Sequence, residues 1–226
     1  MRPWLGADSL ERLNAAAEAL GILTESGRPV RFVPPAASDP YYEIGVFRSG
    51  RVATRPGSLH DWFNALAWLA FPRTKARINA MHAEAIPREH GRRGRLRDLL
   101  TLLDEGGALV ACGDAALNAM LRAHEWKALF WSERARVLAS MRLLVLGHAV
   151  LEKALDPWPG ITCKAIIIPA EGDPDAHAAS WLRNLPAEAT PRSLAALPIF
   201  GYPGWLPASE RAAFYDDARF FRGARE

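Results

Sequence analysis

Residues 60–82, HDWFNALAWLAFPRTKARINAMH, set His60, Asp61, Asn64, Lys75, Asn79 and His82 among aromatic and aliphatic positions that should be buried. Buried polar groups need partners, and their desolvation is tolerated most often where a site exists. On a helix His60 and Asn64 are i,i+4 neighbours and Asp61 and Asn64 are i,i+3, with Trp68 on the same side. Lys75, Asn79 and His82 form a second row, and the Phe71–Pro72 break lets one row turn toward the other. A third row follows a 3.6-residue period through Val137, Met141, Leu144, His148, Leu151 and Leu155, with Glu152 one turn from His148. A carboxylate beside an imidazole fixes its tautomer and raises its basicity. His60 or His82 opposite His148 would make a base–acid pair or two ligands of a metal. The expected catalytic set is therefore His60, Asp61, His82, His148 and Glu152, with His60, His82 and His148 also the candidate ligands of a divalent metal.

Bland roles compete for several of these residues. Asp61 fits a capping-box acid, Asn64 fits a backbone partner at the kink, and Glu152 fits the plain partner of a core histidine. For substrate binding the expected residues are Asn64 and Lys75, together with Arg92, Arg93 and Arg97 of the run REHGRRGRLRD. Guanidinium groups pair with phosphate or carboxylate, so that run suits an anionic small molecule; it also suits a solvated face. Asp104 and Glu105 read as turn acids, and Asp98 as the partner of a nearby arginine. Dinucleotide, phosphate-loop, serine-elbow and zinc-protease motifs are all lacking, and Cys112 and Cys163 fit no metal or redox spacing.

The elements that must position these residues follow from periodicity and punctuation. A first helix is expected over Ser9–Leu20, capped by Asp8, then an extended RPVRFVPP piece and a strand at Tyr42–Phe47. Ser58 opens a helix to about Ala70, and a second helix runs from about Arg73 to Ile86, ended by Pro87. RDLLTLLDEGGALVACGD reads as a hairpin of strands Leu99–Leu103 and Ala108–Cys112. A short helix is expected at Asp114–Ala123, the longest at Glu133–Leu155, a buried strand at 162–168 and a helix at Asp175–Leu182. The fold class expected is α+β: a mostly helical single domain over 1–226, with a small β-hairpin or sheet and a loop-rich C-terminal tail.

Composition narrows the class. Half of the 226 residues are hydrophobic, enough for a sizeable core, and eight are Trp. A net charge of +3 and a pI near 9.1 permit nucleic acid as a partner without requiring it. The N-terminal MRPWLGADSLERL has no signal-peptide core, and Leu143–Leu146 is too short to cross a bilayer, so a cytoplasmic protein without membrane contact is expected. Oligomeric state stays open.

Further along, the chain resembles a bacterial family known only as a domain of unknown function. The resemblance rests on HDW-x-NAL-x-W-x-x-FP-x-TK from His60 to Lys75, followed by Asn79 and His82. It continues through Gly91–Arg93, Arg97–Asp98, TL-x-DE-x-G at Thr101–Gly107, GH-x-x-LEK at Gly147–Lys153 and FG-x-PGW at Phe200–Trp205. FYDD at Phe214–Asp217 and Arg222 complete it, over roughly residues 55–222. Leu103 stands where the pattern has an aromatic residue and Gly106 where it has Asn. The resemblance implies no activity, cofactor or catalytic residue.

Three readings follow. The first is a hydrolase-like enzyme with a histidine and carboxylate site, with or without a divalent metal, acting on an anionic substrate. The second is a non-catalytic module that binds nucleic acid or a protein through the arginine run and exposed aromatics such as Trp205. The third is a structural protein whose buried polar network only specifies packing.

Overall fold

The structure, a computed structural model, describes residues 9–36, 41–89, 93–186 and 188–224. It is α+β and mostly helical, as expected. Helix α1, Ser9–Ala19, buries Leu13 and Ala17. Its expected cap, Asp8, lies outside the described residues. Asn14 holds the backbone of Phe32 at both its N–H and its carbonyl, 2.7 and 2.9 Å. Phe32 belongs to β1, Arg31–Val33, which pairs in parallel with β2, Arg51–Ala53.

Between those strands lies α2, Tyr42–Ser49, a helix where a strand was expected. Aromatic and β-branched residues favour a strand there, but tertiary burial overrides that preference: the helix buries Gly45 and Val46 and stops at Gly50. Gly50 has φ +74°, and a Cβ on it would sit 2.1 Å from the Pro29 carbonyl oxygen, so this stop requires glycine.

Helices α3, Leu59–Ala70, and α4, Pro72–Ala85, break at Phe71 as the sequence requires, with Pro72 at the first helical position. Ser58 Oγ accepts from Asp61 N, but the reciprocal half of the capping box is missing because Asp61 turns to Arg55. No side chain of its own caps α4. Asp175 does so from across the fold, accepting from the N–H groups of Arg73 and Thr74 at 2.8 Å each.

The expected hairpin is replaced by helix α5, Arg95–Gly106, running directly into strand β3, Gly107–Cys112. Leu96, Leu99, Leu100 and Leu103 make an i, i+3, i+4, i+7 stripe, and the last three are fully buried. The expected long helix is also broken, into α7 (Arg134–Ser140), strand β4 (Met141–Val145) and α8 (His148–Lys153); α6, Ala115–Arg122, precedes it. Leu143 to Leu146 is buried or half-buried on both faces, so its period cannot separate helix from strand; pairing with β3 decides.

Strand β5, Thr162–Ile168, helix α9, Pro174–Arg183, and strand β6, Ala195–Pro198, complete the elements. The main sheet runs β4-β3-β5-β6, with β3 and β5 parallel and both outer pairs antiparallel. One face packs Val110, Cys163 and Leu197 against Leu121, Phe130 and the aromatic C-terminal tail. The other packs Leu109 and Ile166 against α4, α5 and α9. Among the described residues, no helix is long and apolar enough to cross a membrane.

Candidate functional site

Five helices converge on one polar cluster. α3 brings His60 and Asn64, α4 brings Lys75, Asn79 and His82, and α5 brings Arg97 and Asp104. α8 brings His148 and Glu152, and α2 brings Tyr42 and Glu43. The join of α8 to α5 depends on two glycines. The Gly107 carbonyl accepts from both Leu146 N and Gly147 N. A Cβ on Gly147 would lie 2.5 Å from Gly107 N and 2.6 Å from Glu105 O, so only glycine permits the approach. That approach sets His148, the first residue of α8, beside Asp104 in the last turn of α5.

The side chains form a line from the interior outward. Lys75 Nζ donates to Asn64 Oδ1 at 2.8 Å and is ion-paired with Asp104. The Asp104 carboxylate lies 3.7 Å from His148 Nδ1. His148 Nε2 and His60 Nε2 are 3.1 Å apart, their rings set edge to face at 76°. His60 Nδ1 then meets Glu152 Oε2 at 3.2 Å. Side-chain exposure rises from 6% at His148 to 37% at His60 and 41% at Glu152, so the line ends at solvent. The expected His148–Glu152 dyad is corrected: Glu152 serves His60, and His148 turns its Nδ1 toward α5.

Burial pushes the His148 imidazole down to about 4, against the pull of the Asp104 charge. For Asp104 burial works upward, but Lys75 and His148 overcome it and hold the carboxyl below its usual range. Glu43 is pushed up to about 7 by burial and by the Asp104 charge, while Asn79 Nδ2 donates to it at 2.7 Å. Asn64 Nδ2 donates to the Tyr42 hydroxyl at 3.0 Å, and Lys75 lies 5.7 Å over the Trp68 ring. Between these groups only about 10 Å³ stays open, room for about one water and not for a substrate.

Two proton arrangements fit the line. In one, His148 Nε2–H donates to His60, whose Nδ1–H donates to Glu152. His148 Nδ1 is then bare opposite Asp104, and it has no hydrogen-bond partner among the described residues. In the other, His148 carries its proton on Nδ1 facing Asp104, and His60 donates from both ring nitrogens. The second holds one more proton than the first. Passing between them needs a proton at buried His148 Nδ1, so the exposed end alone does not drive it. Within the second arrangement, however, His60 Nδ1 can hand its proton to Glu152 and take it back, which is the capability general acid–base catalysis requires.

Other expected residues lie apart from this line. His82 is buried, accepts from Arg97 Nε at 3.4 Å, and is pushed down to about 4, mainly by burial. Asp61 is held by Arg55 through Nε and a terminal nitrogen at 2.8 Å each. Burial works to raise it, but those bonds bring it below its usual range. Arg97 is committed to Glu89 at 3.0 Å and to the Tyr41 hydroxyl at 2.7 Å. Arg93 pairs with Asp98 at 2.9 Å, both half-exposed. Arg92 lies outside the described residues. Among the described residues, no three His, Cys, Asp or Glu side chains come together as a metal-holding group.

Asp104, Tyr42 and Glu43 were not among the expected site residues. Asp104 was legible in principle: on a helix it follows Leu100 by one turn and flanks the buried stripe. Reading that segment as a hairpin turned it into a loop acid.

Comparison with known proteins adds one match. Neither a curated protein nor a solved structure matches the chain. A family described as "Protein of unknown function (DUF3025)" matches residues 30–225, a longer stretch than the blocks that carried the resemblance. The chain, with its histidine pair and buried Lys75–Asp104 couple, therefore belongs to that family.

Proposed function

We propose that this chain is an acid–base enzyme of the hydrolase type, with His60 the group that exchanges a proton with substrate or attacking water. The observation that carries the reading is the 3.1 Å contact between the Nε2 atoms of His60 and His148. It joins a half-exposed imidazole to a buried one that faces a carboxylate. In this reading His148 and Asp104 fix the tautomer of His60, and Glu152 takes or returns its second proton. Lys75 keeps Asp104 ionised. The reacting group of the substrate meets the exposed end, since the interior has no room for it. An anionic substrate would engage Arg93 by opening its half-exposed pair with Asp98; Arg97 is already committed. His60 and His148 could alternatively offer two nitrogens to a divalent metal, with the remaining ligands from substrate or water.

A second reading is a packing network without chemistry. It is favoured by Asn64, Lys75 and Asn79, all buried and bonded within the fold.

The test is hydrolysis of chromogenic esters, phosphoesters and amides by the wild type, His60→Asn and His148→Asn, each with chelator and with added zinc. The reading expects turnover by the wild type and a loss of roughly 100-fold or more in His60→Asn with the fold retained. Absence of turnover across the panel, or equal rates in all three proteins, would leave the packing network. Turnover only with zinc would assign the pair to a metal.

A further inference from the structure

A large groove lies elsewhere on the molecule. It has a volume of about 1160 Å³ and is walled by the end of α6, the start of β5, edge strand β6 and the C-terminal tail. Arg122, Lys164, Arg192, Arg219 and Arg222 line it. Arg219 is ion-paired with Asp217, and the other four form no salt bridge among the described residues. No Asp or Glu stands among the described lining residues. Four cations lining one groove without a carboxylate paired to them repel one another, an arrangement that a polyanion would relieve.

Aromatic rings stand beside these cations. Trp158 is 53% exposed and so leaves a large aromatic ring open to solvent. It is held edge to face by Phe220 at 5.9 Å and lies so close over Gly160 that a Cβ there would come within 1.9 Å of its ring. Phe220 is in turn covered by Arg219 at 5.3 Å. Also lining the groove, His124, with φ +58°, stacks on Trp126 at 4.9 Å. Trp126 Nε1 donates to Arg222 O at 2.7 Å, which ties the tail to Trp126.

We propose that this groove binds single-stranded nucleic acid. Several unpaired cations answer several phosphates, and a fixed, exposed indole offers a face to an unpaired base. The groove's volume lies above the usual ~300–1,000 Å³ of small-molecule pockets, which suits an extended polyanion better than a small anion. A duplex would hide its base faces from Trp158. An acidic peptide would use the charge but not the ring face, and an anionic membrane, which could use both, is set against the single strand in the experiment below. The proposal does not depend on the histidine site.

The experiment is fluorescence anisotropy of the full chain with labelled oligouridylate and oligothymidylate of about ten nucleotides, a duplex of similar length, and vesicles with and without anionic phospholipid. Both single strands should bind, with log affinity falling against log salt at a slope of about −3, from four phosphates at about 0.7 each. Trp158→Ala should weaken single-strand binding about tenfold, and Trp158→Phe should restore most of it. Arg122→Ala with Arg222→Ala should flatten the slope to about half. These side chains are exposed, so the folded state should survive, as circular dichroism would verify. Absence of single-strand binding, binding indifferent to Trp158→Ala, or equal or tighter binding of duplex or anionic vesicles would each overturn the proposal.

Discussion

The Nε2 atoms of His60 and His148 meet at 3.1 Å although 88 residues separate them in the chain. One ring comes from the first turn of α3 and the other from the first residue of α8. The contact exists because Gly107 and Gly147 let α8 start against the end of α5. It links the solvent-facing Glu152 to the buried Lys75–Asp104 couple.

Glu152→Gln should separate chemistry from packing. The His60–Glu152 pair is half-exposed, so the loss of charge should change stability by only about 0–1 kcal/mol. The hydrolytic rate should fall by roughly 10- to 100-fold, with a displaced pH profile. Urea unfolding and rate against pH check both; a large stability loss with an unmoved profile would assign Glu152 to packing.

Lys75→Met should be severe. It leaves the Asp104 carboxylate without its buried cation, a loss of about 3–5 kcal/mol. Adding Asp104→Asn should recover much of it, because the unpaired charge is then gone. A double-mutant cycle in urea measures the coupling, and additive losses would contradict it.

Stability should fall on acidification because of His82 and His148. Both drop from 6.5 to about 4 on folding, so between those values the unfolded chain holds more protons. The contribution is full above about pH 6.5 and is lost as pH falls toward 4, on the order of 3 kcal/mol for each histidine taken alone. The two share Asp104 and need not add. His82→Asn and His148→Asn should each flatten the profile of urea midpoints against pH.

Glu43 should act with the opposite sign. Its carboxyl rises from 4.5 to about 7 on folding, so its contribution is present below about pH 4.5 and is lost as pH rises to 7. Glu43→Gln imitates the protonated form and keeps an acceptor for Asn79. The variant should be about 1–3 kcal/mol more stable than the wild type near pH 8 and nearly equal to it near pH 5. Urea midpoints at the two pH values test this, and a stability gain equal at both would refute it.

Asp175→Ala should uncap α4 from a distance. It removes a buried carboxylate that accepts two backbone N–H groups at 2.8 Å, at a cost of about 2–3 kcal/mol. Asp175→Asn, which keeps one acceptor oxygen, should lose about half as much. Thermal unfolding with amide exchange at Arg73 and Thr74 reads the effect; unaltered protection there would contradict it.

The sequence by itself determined the elements whose signals are local. Ser58 and the Phe71–Pro72 break place α3 and α4, and the β-branched run at 162–168 places β5. It also marked His60, Lys75 and His148 as polar residues in apolar company, because that contrast needs no partner to be visible. Only the tertiary structure decided which partners they have. Leu143–Leu146 became part of a strand and its exit because β3 offered an open ladder, which moved His148 from mid-helix to the head of α8. Asp104 became the buried counter-charge of Lys75 because the Leu99, Leu100 and Leu103 stripe found α4 and α9 to pack on. Short apolar runs satisfy both periods, so distant neighbours, absent from any local window, chose between them.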